Sequence, residues 1–273
     1  AAGGAAASEQ ARGTSGEAEG LPPPDLGRPP PVRYLLTLGS EHGLDRLAMW
    51  ELGERLSATG VERVRCRIFF SADAPPRAFQ SLKSAEKICA VVMQLAAPEI
   101  LGIVEGAATQ DPAAADGEAA ASVVGPEHAL AQRIADSEAW RAVTGQWWAF
   151  NADSAMQRSQ EPAPAMDPEA LTFKVTCKRS GKRFAHVSSQ GLAVALASAL
   201  ARARGWRAQV RRPDVEVRVL LSDTDLLVDV PLLAQSAVPI GGGQLCAAGM
   251  AAPVAWAMAR TAELRPGDRA LDP

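Results

Sequence analysis

Residues 171–183 read Leu-Thr-Phe-Lys-Val-Thr-Cys-Lys-Arg-Ser-Gly-Lys-Arg. Phe173, Val175 and Cys177 alternate with Lys174 and Lys178, the period of a strand with one buried face. Ser188 then stands where a helix N-cap is needed, ahead of Leu192, Val194, Leu196 and Leu200 at helical spacing, and Gly205 is placed to stop that helix. Further on, Val215, Val217, Val219 and Leu221 alternate with Glu216 and Arg218. The turn Ser222-Asp223-Thr224-Asp225 folds this strand back into Leu226–Val230 as a hairpin. Strand, helix and hairpin in this order predict a unit that mixes helix and sheet.

The same stretch is charged in one sense only. Between Leu171 and Pro213 lie Lys174, Lys178, Arg179, Lys182, Arg183, Arg202, Arg204, Arg207, Arg211 and Arg212, with no Asp or Glu. The chain has 28 Lys and Arg against 31 Asp and Glu, so the rest carries 18 against 31, a net of −13. A polyanion suits such segregation, because clustered cations release condensed counterions from phosphates while an acidic remainder discourages indiscriminate binding. The segment is therefore read as an RNA or DNA contact surface, with its two clusters, Lys174–Arg183 and Arg202–Arg212, brought together by the helix between them. A solvated charged face is the competing reading. Arg202 and Arg204 also suit the dipole at the helix end. Trp206 could stack on a base, but an aromatic at a helix end more often anchors packing.

Upstream, residues 1–31 are rich in Ala, Gly, Pro and Glu, a composition that predicts disorder. Val32–Leu38 reads as a strand, Leu44 through Thr59 as a helix that Gly60 ends, and Val64–Phe70 as a second strand. A helix and the buried strand Ile88–Met93 follow, giving β-α-β-α-β, a small α/β sandwich. Residues 109–125 and 151–169 read as linkers flanking one helix over Glu127–Phe150, whose Trp147-Trp148 pair is read as a docking surface for a neighbouring domain.

No apolar run reaches the roughly 20 residues of a spanning helix, and the first 31 residues lack a signal-peptide core, so no membrane partner is expected. Cys66, Cys89, Cys177 and Cys246 have none of the spacing of a zinc site and read as buried reduced thiols of an intracellular protein. No metal site is expected. The chain opens without Met and stops at Arg269–Pro273 as an apolar strand begins, so it reads as a fragment.

Three segments carry a resemblance: Phe173–Gly181, then Gly205-Trp206-Arg207-Ala208, then Asp214–Val219. Together they resemble a THUMP domain, an RNA-binding module of tRNA-modifying enzymes. Leu82–Lys87, and Val254–Ala259 leading to Leu271-Asp272-Pro273, are similar to the animal THUMP-domain RNA guanine-N2 methyltransferases. The resemblance implies an α/β (α+β) chain: disordered residues 1–31, a ferredoxin-like domain at 32–107, a linker with one helix at 108–170, the THUMP domain at 171–234, and the start of a Rossmann-like methyltransferase domain at 235–273. It further implies S-adenosylmethionine as methyl donor, N2-methylguanosine as product, U6 small nuclear RNA or tRNA as substrate, and a small zinc-containing activator subunit as partner. The nucleus becomes the expected compartment. On the combined reading, Lys174, Lys178, Arg179, Lys182, Arg183, Arg202, Arg207, Arg211 and Arg212 contact RNA, and Asp272 contributes to the cofactor site.

The chain departs from the family pattern near its end. Its glycine turn for the cofactor and its Asp/Asn-Pro-Pro-Tyr-like catalytic motif are absent from residues 1–273, so no catalytic residue is assigned here. Pro239–Leu245 replaces a basic, aromatic approach to the following helix, and Ala251 stands where relatives have Arg. Gly241–Gly243 lacks the Lys-Ser/Thr of a phosphate loop and reads as a flexible joint. His42, His128 and His186 are scattered, Ser180 and Ser188 match no nucleophile elbow, and Asp223 with Asp225 reads as turn chemistry. A non-catalytic RNA adaptor and a structural domain with an acidic protein partner are the alternatives to an enzyme.

Overall fold

The structure, a computed structural model, describes residues 32–38, 43–108, 125–158, 171–234, 252–263 and 267–269. The expected disorder of residues 1–31, the turn after Leu38, most of both linkers, the glycine joint and Asp272 lie outside the described residues.

The front of the chain runs β1 (Arg33–Thr37), α1 (Asp45–Leu56), β2 (Thr59–Val64), β3 (Arg67–Ser71), α2 (Pro76–Gln80) and β4 (Lys87–Ala96). Its strands lie in the order β2-β3-β1-β4 with antiparallel neighbours. This β-α-β-β-α-β arrangement is the ferredoxin-like one. It has one strand more than the apolar pattern shows. The expected strand Val64–Phe70 is a hairpin, turned at Arg65 with φ 56°. Five of the six β2 residues are exposed, so this edge strand has no apolar alternation to reveal it. Helix α1 ends at Ser57 in a left-handed conformation rather than at Gly60, which lies in β2 where the register with β3 slips.

Glu51, fully buried on α1, fixes the connection from α2 to β4. Its carboxylate accepts the backbone N–H groups of Lys83 and Ser84 at 2.9 Å and the Ser84 hydroxyl at 2.7 Å. The Arg55 Nε, 3.1 Å away, completes the set. A carboxylate with this many donors offsets its desolvation.

After α3 (Ala97–Ala108) come α4 (Pro126–Ala135) and α5 (Ala139–Arg158). The expected single helix is thus broken at Asp136–Glu138, and α5 extends into the expected second linker. The break is stabilised from elsewhere: Arg204 donates to the carbonyls of Ala135 and Ser137, and Trp140 Nε1 donates to that of Ile134 at 2.8 Å. These bonds satisfy carbonyls left open at a helix end. Helix α5 is a strut. Trp140, Val143 and Trp147 enter one buried cluster and Phe150 another, where its ring meets Phe79 edge-on. Trp147 is buried in that cluster and Trp148 packs half-buried against it, in keeping with a packing role for the pair.

The second half is β5 (Thr172–Arg179), α6 (Ser189–Arg204), β6 (Arg207–Ala208), β7 (Val215–Leu221) and β8 (Asp225–Ala234). Both expected helix signals hold: Ser188 Oγ accepts from the Gly191 N–H, and Gly205 caps with φ 72°. The two halves are not separate bodies, because β8 pairs with β4 from Lys87↔Ala234 to Ala96↔Asp225. One sheet results, β2-β3-β1-β4-β8-β7-β5-β6. Helices pack on one face. Leu35, Phe69, Cys89, Val91 and Leu227 form a buried cluster on the other. Arg67 stands in register with Thr37, Lys87 and Ala234 in turn, so a flat sheet would hold it about 30 Å from Asp225, nine residues back along β8. Arg67 of β3 nevertheless comes within 3.6 Å of Asp225 of β8, so the sheet curls toward that second face.

Helix α7 (Ala252–Thr261) packs Ala257, with Val254 and Trp256, against the front cluster.

Candidate nucleic-acid interface

Strand β5 runs parallel to β6 and β7, with Thr172 opposite Arg207 and Arg179 opposite Leu221. A parallel crossover returns the chain to the end from which it started. Lys178, Arg179, Lys182 and Arg183 therefore lie at one end of β5, and Arg202, Arg207, Arg211 and Arg212 at the other. Between the two ends runs α6, whose 16 residues span about 24 Å. The expected meeting of the two clusters does not occur; they form two cationic ends of one module.

The individual side chains differ in what they are free to do. Lys178, Arg179, Lys182, Arg202, Arg207, Arg211 and Arg212 are exposed, and none has a carboxylate partner among the described residues. Lys174 is half-buried and bonded to Glu216 at 3.2 Å. Burial works against ionisation of Glu216, yet hydrogen bonds from Thr176 and Lys174 hold its carboxyl below the ordinary value. Arg183 is anchored, its backbone N–H donating to Asp223 Oδ1 at 2.7 Å and its guanidinium to the Asp223 carbonyl. Gly181, at φ +86°, makes room for that carboxylate, which lies 2.2 Å from where a Cβ would stand. Arg204 is committed to the α4 break. Gln209 Nε2 donates to the carbonyls of Arg211 and Arg212 at 2.7 and 3.0 Å, shaping the loop that presents them. Trp206 is buried, edge-on to Trp140 and Phe173, so it is a packing anchor with no face for a base.

The front of the chain adds a feature that charge counting passed over. Arg33, Arg63, Arg65 and Arg67 line one cleft of ≈ 800 Å³, whose other wall includes Ser180 and Ser222. In sequence, Arg65 and Arg67 read only as polar positions of an expected strand, and Arg63 stands just before it. The hairpin turn and the curl of the sheet give them a common cavity.

Beneath the second face lies a buried polar group. Arg218 Nε donates to Asp229 Oδ1 at 2.7 Å, and its Nη2 to Cys89 Sγ at 3.0 Å. Burial raises Asp229 despite Arg218, and burial with the nearby Asp229 raises the Cys89 thiol. This group is sealed, which makes it a structural clamp across β4, β8 and β7. Cys177 is half-buried and also raised by burial. Cys66 and Cys177 both depart from the expected full burial, Cys66 on the wall of the arginine cleft, and Cys246 lies outside the described residues.

Among the described residues none is assigned to S-adenosylmethionine: after β8 they comprise one helix and short turns, and Asp272 falls outside them. Among the described residues no cluster of His, Cys, Asp and Glu could hold a metal ion, and no helix is long and apolar enough to cross a membrane.

A mixed sheet with a parallel β-α-β step, closed by a hairpin and carrying unpaired cations at both ends, is joined here to a ferredoxin-like front. The sequence pattern of the THUMP domain matches residues 159–228, and the chain carries a THUMP domain. Over most of its length it is related to U6 snRNA (guanine-N(2))-methyltransferase THUMPD2. It is 25% identical to the Mus musculus protein over 295 residues, covering 89% of this chain and 55% of the relative. For the Bos taurus protein the figures are 24% over 293 residues, 89% and 58%. The chain thus spans a little over half the length of these relatives. Among solved structures, TrmN from Thermus thermophilus is similar with a TM-score of 0.45 and 18% identity, covering 74% of this chain and 46% of that one.

Proposed function

We propose that this chain is the RNA-binding part of an S-adenosylmethionine-dependent RNA guanine-N2-methyltransferase. The observation that carries the reading is the set of exposed cations without carboxylate partners on a THUMP domain, within a chain related to THUMPD2 along 89% of its length. On this reading residues 32–107 are the ferredoxin-like domain, 171–234 the THUMP domain and 235–273 the start of a Rossmann-like methyltransferase domain. Lys178, Arg179, Lys182, Arg183, Arg202, Arg207, Arg211 and Arg212 contact phosphates; Lys174 contributes through Glu216, as part of the supporting sheet. The substrate is U6 snRNA, the RNA that the relatives' name carries, with tRNA as the second substrate to test, and the compartment is the nucleus. Methyl transfer is assigned to a part of the protein outside the described residues, together with the S-adenosylmethionine pocket to which Asp272 belongs. The zinc-containing activator subunit goes with that catalytic part.

The test is fluorescence anisotropy of labelled U6 snRNA and tRNA transcripts with the purified chain across a salt series. Binding is expected to weaken steeply with salt, as phosphate contacts require. Changing Lys178, Arg179, Arg211 and Arg212 together to Glu is expected to weaken it. Affinity unchanged by that variant, or insensitive to salt, would overturn the reading.

A further inference from the structure

Val210 is 87% exposed, more than any other large apolar side chain among the described residues. A lone apolar residue on a surface needs no explanation by itself. Its surroundings set this one apart. It stands between Arg207 and the pair Arg211 and Arg212, which are exposed and have no carboxylate partner among the described residues. Asp214, the carboxylate closest to it in the chain, is committed to β5. It accepts the Thr172 N–H at 2.8 Å and the Thr172 hydroxyl at 2.5 Å.

The loop that carries Val210 is held at both ends and in the middle. The Gln209 N–H donates to the Phe173 carbonyl at 2.7 Å and the Asp214 N–H to the Thr172 carbonyl at 3.0 Å, so both ends are tied to β5. Between them Gln209 Nε2 bridges the carbonyls of Arg211 and Arg212. Arg212 has φ 50°, a left-handed backbone that a residue other than glycine keeps only where its surroundings impose it. Pro213 then fixes the next φ. The loop thus holds an apolar side chain out in water, among cations, in a shape set before any ligand arrives, and binding has little ordering left to impose on it.

We propose that Val210 packs against the face of an unpaired RNA base, while Arg207, Arg211 and Arg212 hold the phosphates beside it. A phosphate offers a valine nothing, so the contact lies on the apolar part of a nucleotide. In a duplex the base faces are stacked on one another; they open to a side chain in loops, bulges and single strands. The loop therefore selects RNA with an unpaired nucleotide over a continuous duplex, a choice that phosphate contacts alone do not make. The inference rests on the RNA-binding reading above and assigns to Val210 the part that tells one form of RNA from another.

Anisotropy with the whole chain compares two probes of equal phosphate number, an RNA stem-loop and a blunt RNA duplex. Val210→Ala is expected to weaken stem-loop binding about fivefold, the worth of two partly buried methyl groups, and to leave duplex binding unchanged. The slope of affinity against salt stays the same, since no charge is lost, and so does the melting temperature, since the side chain is in water. Val210→Phe is expected to tighten stem-loop binding about fivefold, because an aromatic ring stacks on a base. Val194→Ala, at the 61% exposed valine of α6, is the control and leaves both affinities unchanged. Val210→Ala no weaker than Val194→Ala on the stem-loop, or weakened equally on the duplex, overturns the base contact. In that event, weakening by the four-residue Glu variant still supports the phosphate surface. Absence of binding to either probe by the unaltered chain overturns both readings.

Discussion

Arg218 and Asp229 face each other across β7 and β8, Nε to Oδ1 at 2.7 Å, and the same guanidinium reaches Cys89 on β4. The bond ties the THUMP hairpin to the last strand of the front unit. Asp229 is fully buried and its second oxygen has no partner. Removing Arg218 alone would leave an acid in the interior with nothing to answer it. Arg218→Ala is expected to cost about 3 kcal/mol in urea unfolding, while Arg218→Met combined with Asp229→Leu should cost much less, since the pair owes its cost to desolvation.

Glu51 offers a sharper case, because its acceptors are matched by backbone donors that cannot move away. Glu51→Gln keeps the length but turns an N–H toward other N–H groups. A loss of about 2–4 kcal/mol is expected, measured by chemical denaturation, with amide exchange at Lys83 and Ser84 rising most.

Stability should fall in alkali. Tyr34 is buried, and burial with the charge of Asp73 pushes its hydroxyl from 10.0 up to about 12. A group raised on folding gives stability that is whole below its unfolded value and lost as pH climbs through the folded one. For Tyr34 that window runs from pH 10 to about 12 and amounts to about 3 kcal/mol. Cys89, raised in the same direction, begins its loss near its ordinary value of 9.0. Melting temperatures from pH 8 to 11 should decline in the wild type above these points, and Tyr34→Phe should flatten the upper part of the decline.

Gly181→Ala is expected to destabilise by about 1–3 kcal/mol, through the left-handed backbone and the collision with Asp223. Exchange of the Arg183 amide, whose partner is that carboxylate, should quicken in the same variant.

How much of this could be read from residues alone depends on how local its cause is. Strands β5 and β7 and helix α6 were legible because each buries one face at its own period and because Ser188 and Gly205 mark the helix ends. Strand β2 was not, since its residues face water and leave no period. The break between α4 and α5 was invisible for a different reason: Arg204, which satisfies its carbonyls, lies 69 residues away from Ala135. At the interface the identity of the cations was readable, their direction was not. A helix that crosses back over the sheet sends the second cluster to the opposite end, and only the curl of the sheet gives Arg63, Arg65 and Arg67 a shared cavity.

Strand β8 sits between β4 and β7 in the middle of the sheet, yet it is the last strand of that sheet in chain order. A ribosome has therefore made every other strand before the central one emerges. Until residue 234 is free, the outer margin of β4 has unsatisfied amides and carbonyls open to any passing strand, which leaves the nascent chain vulnerable to mispairing until the central strand emerges.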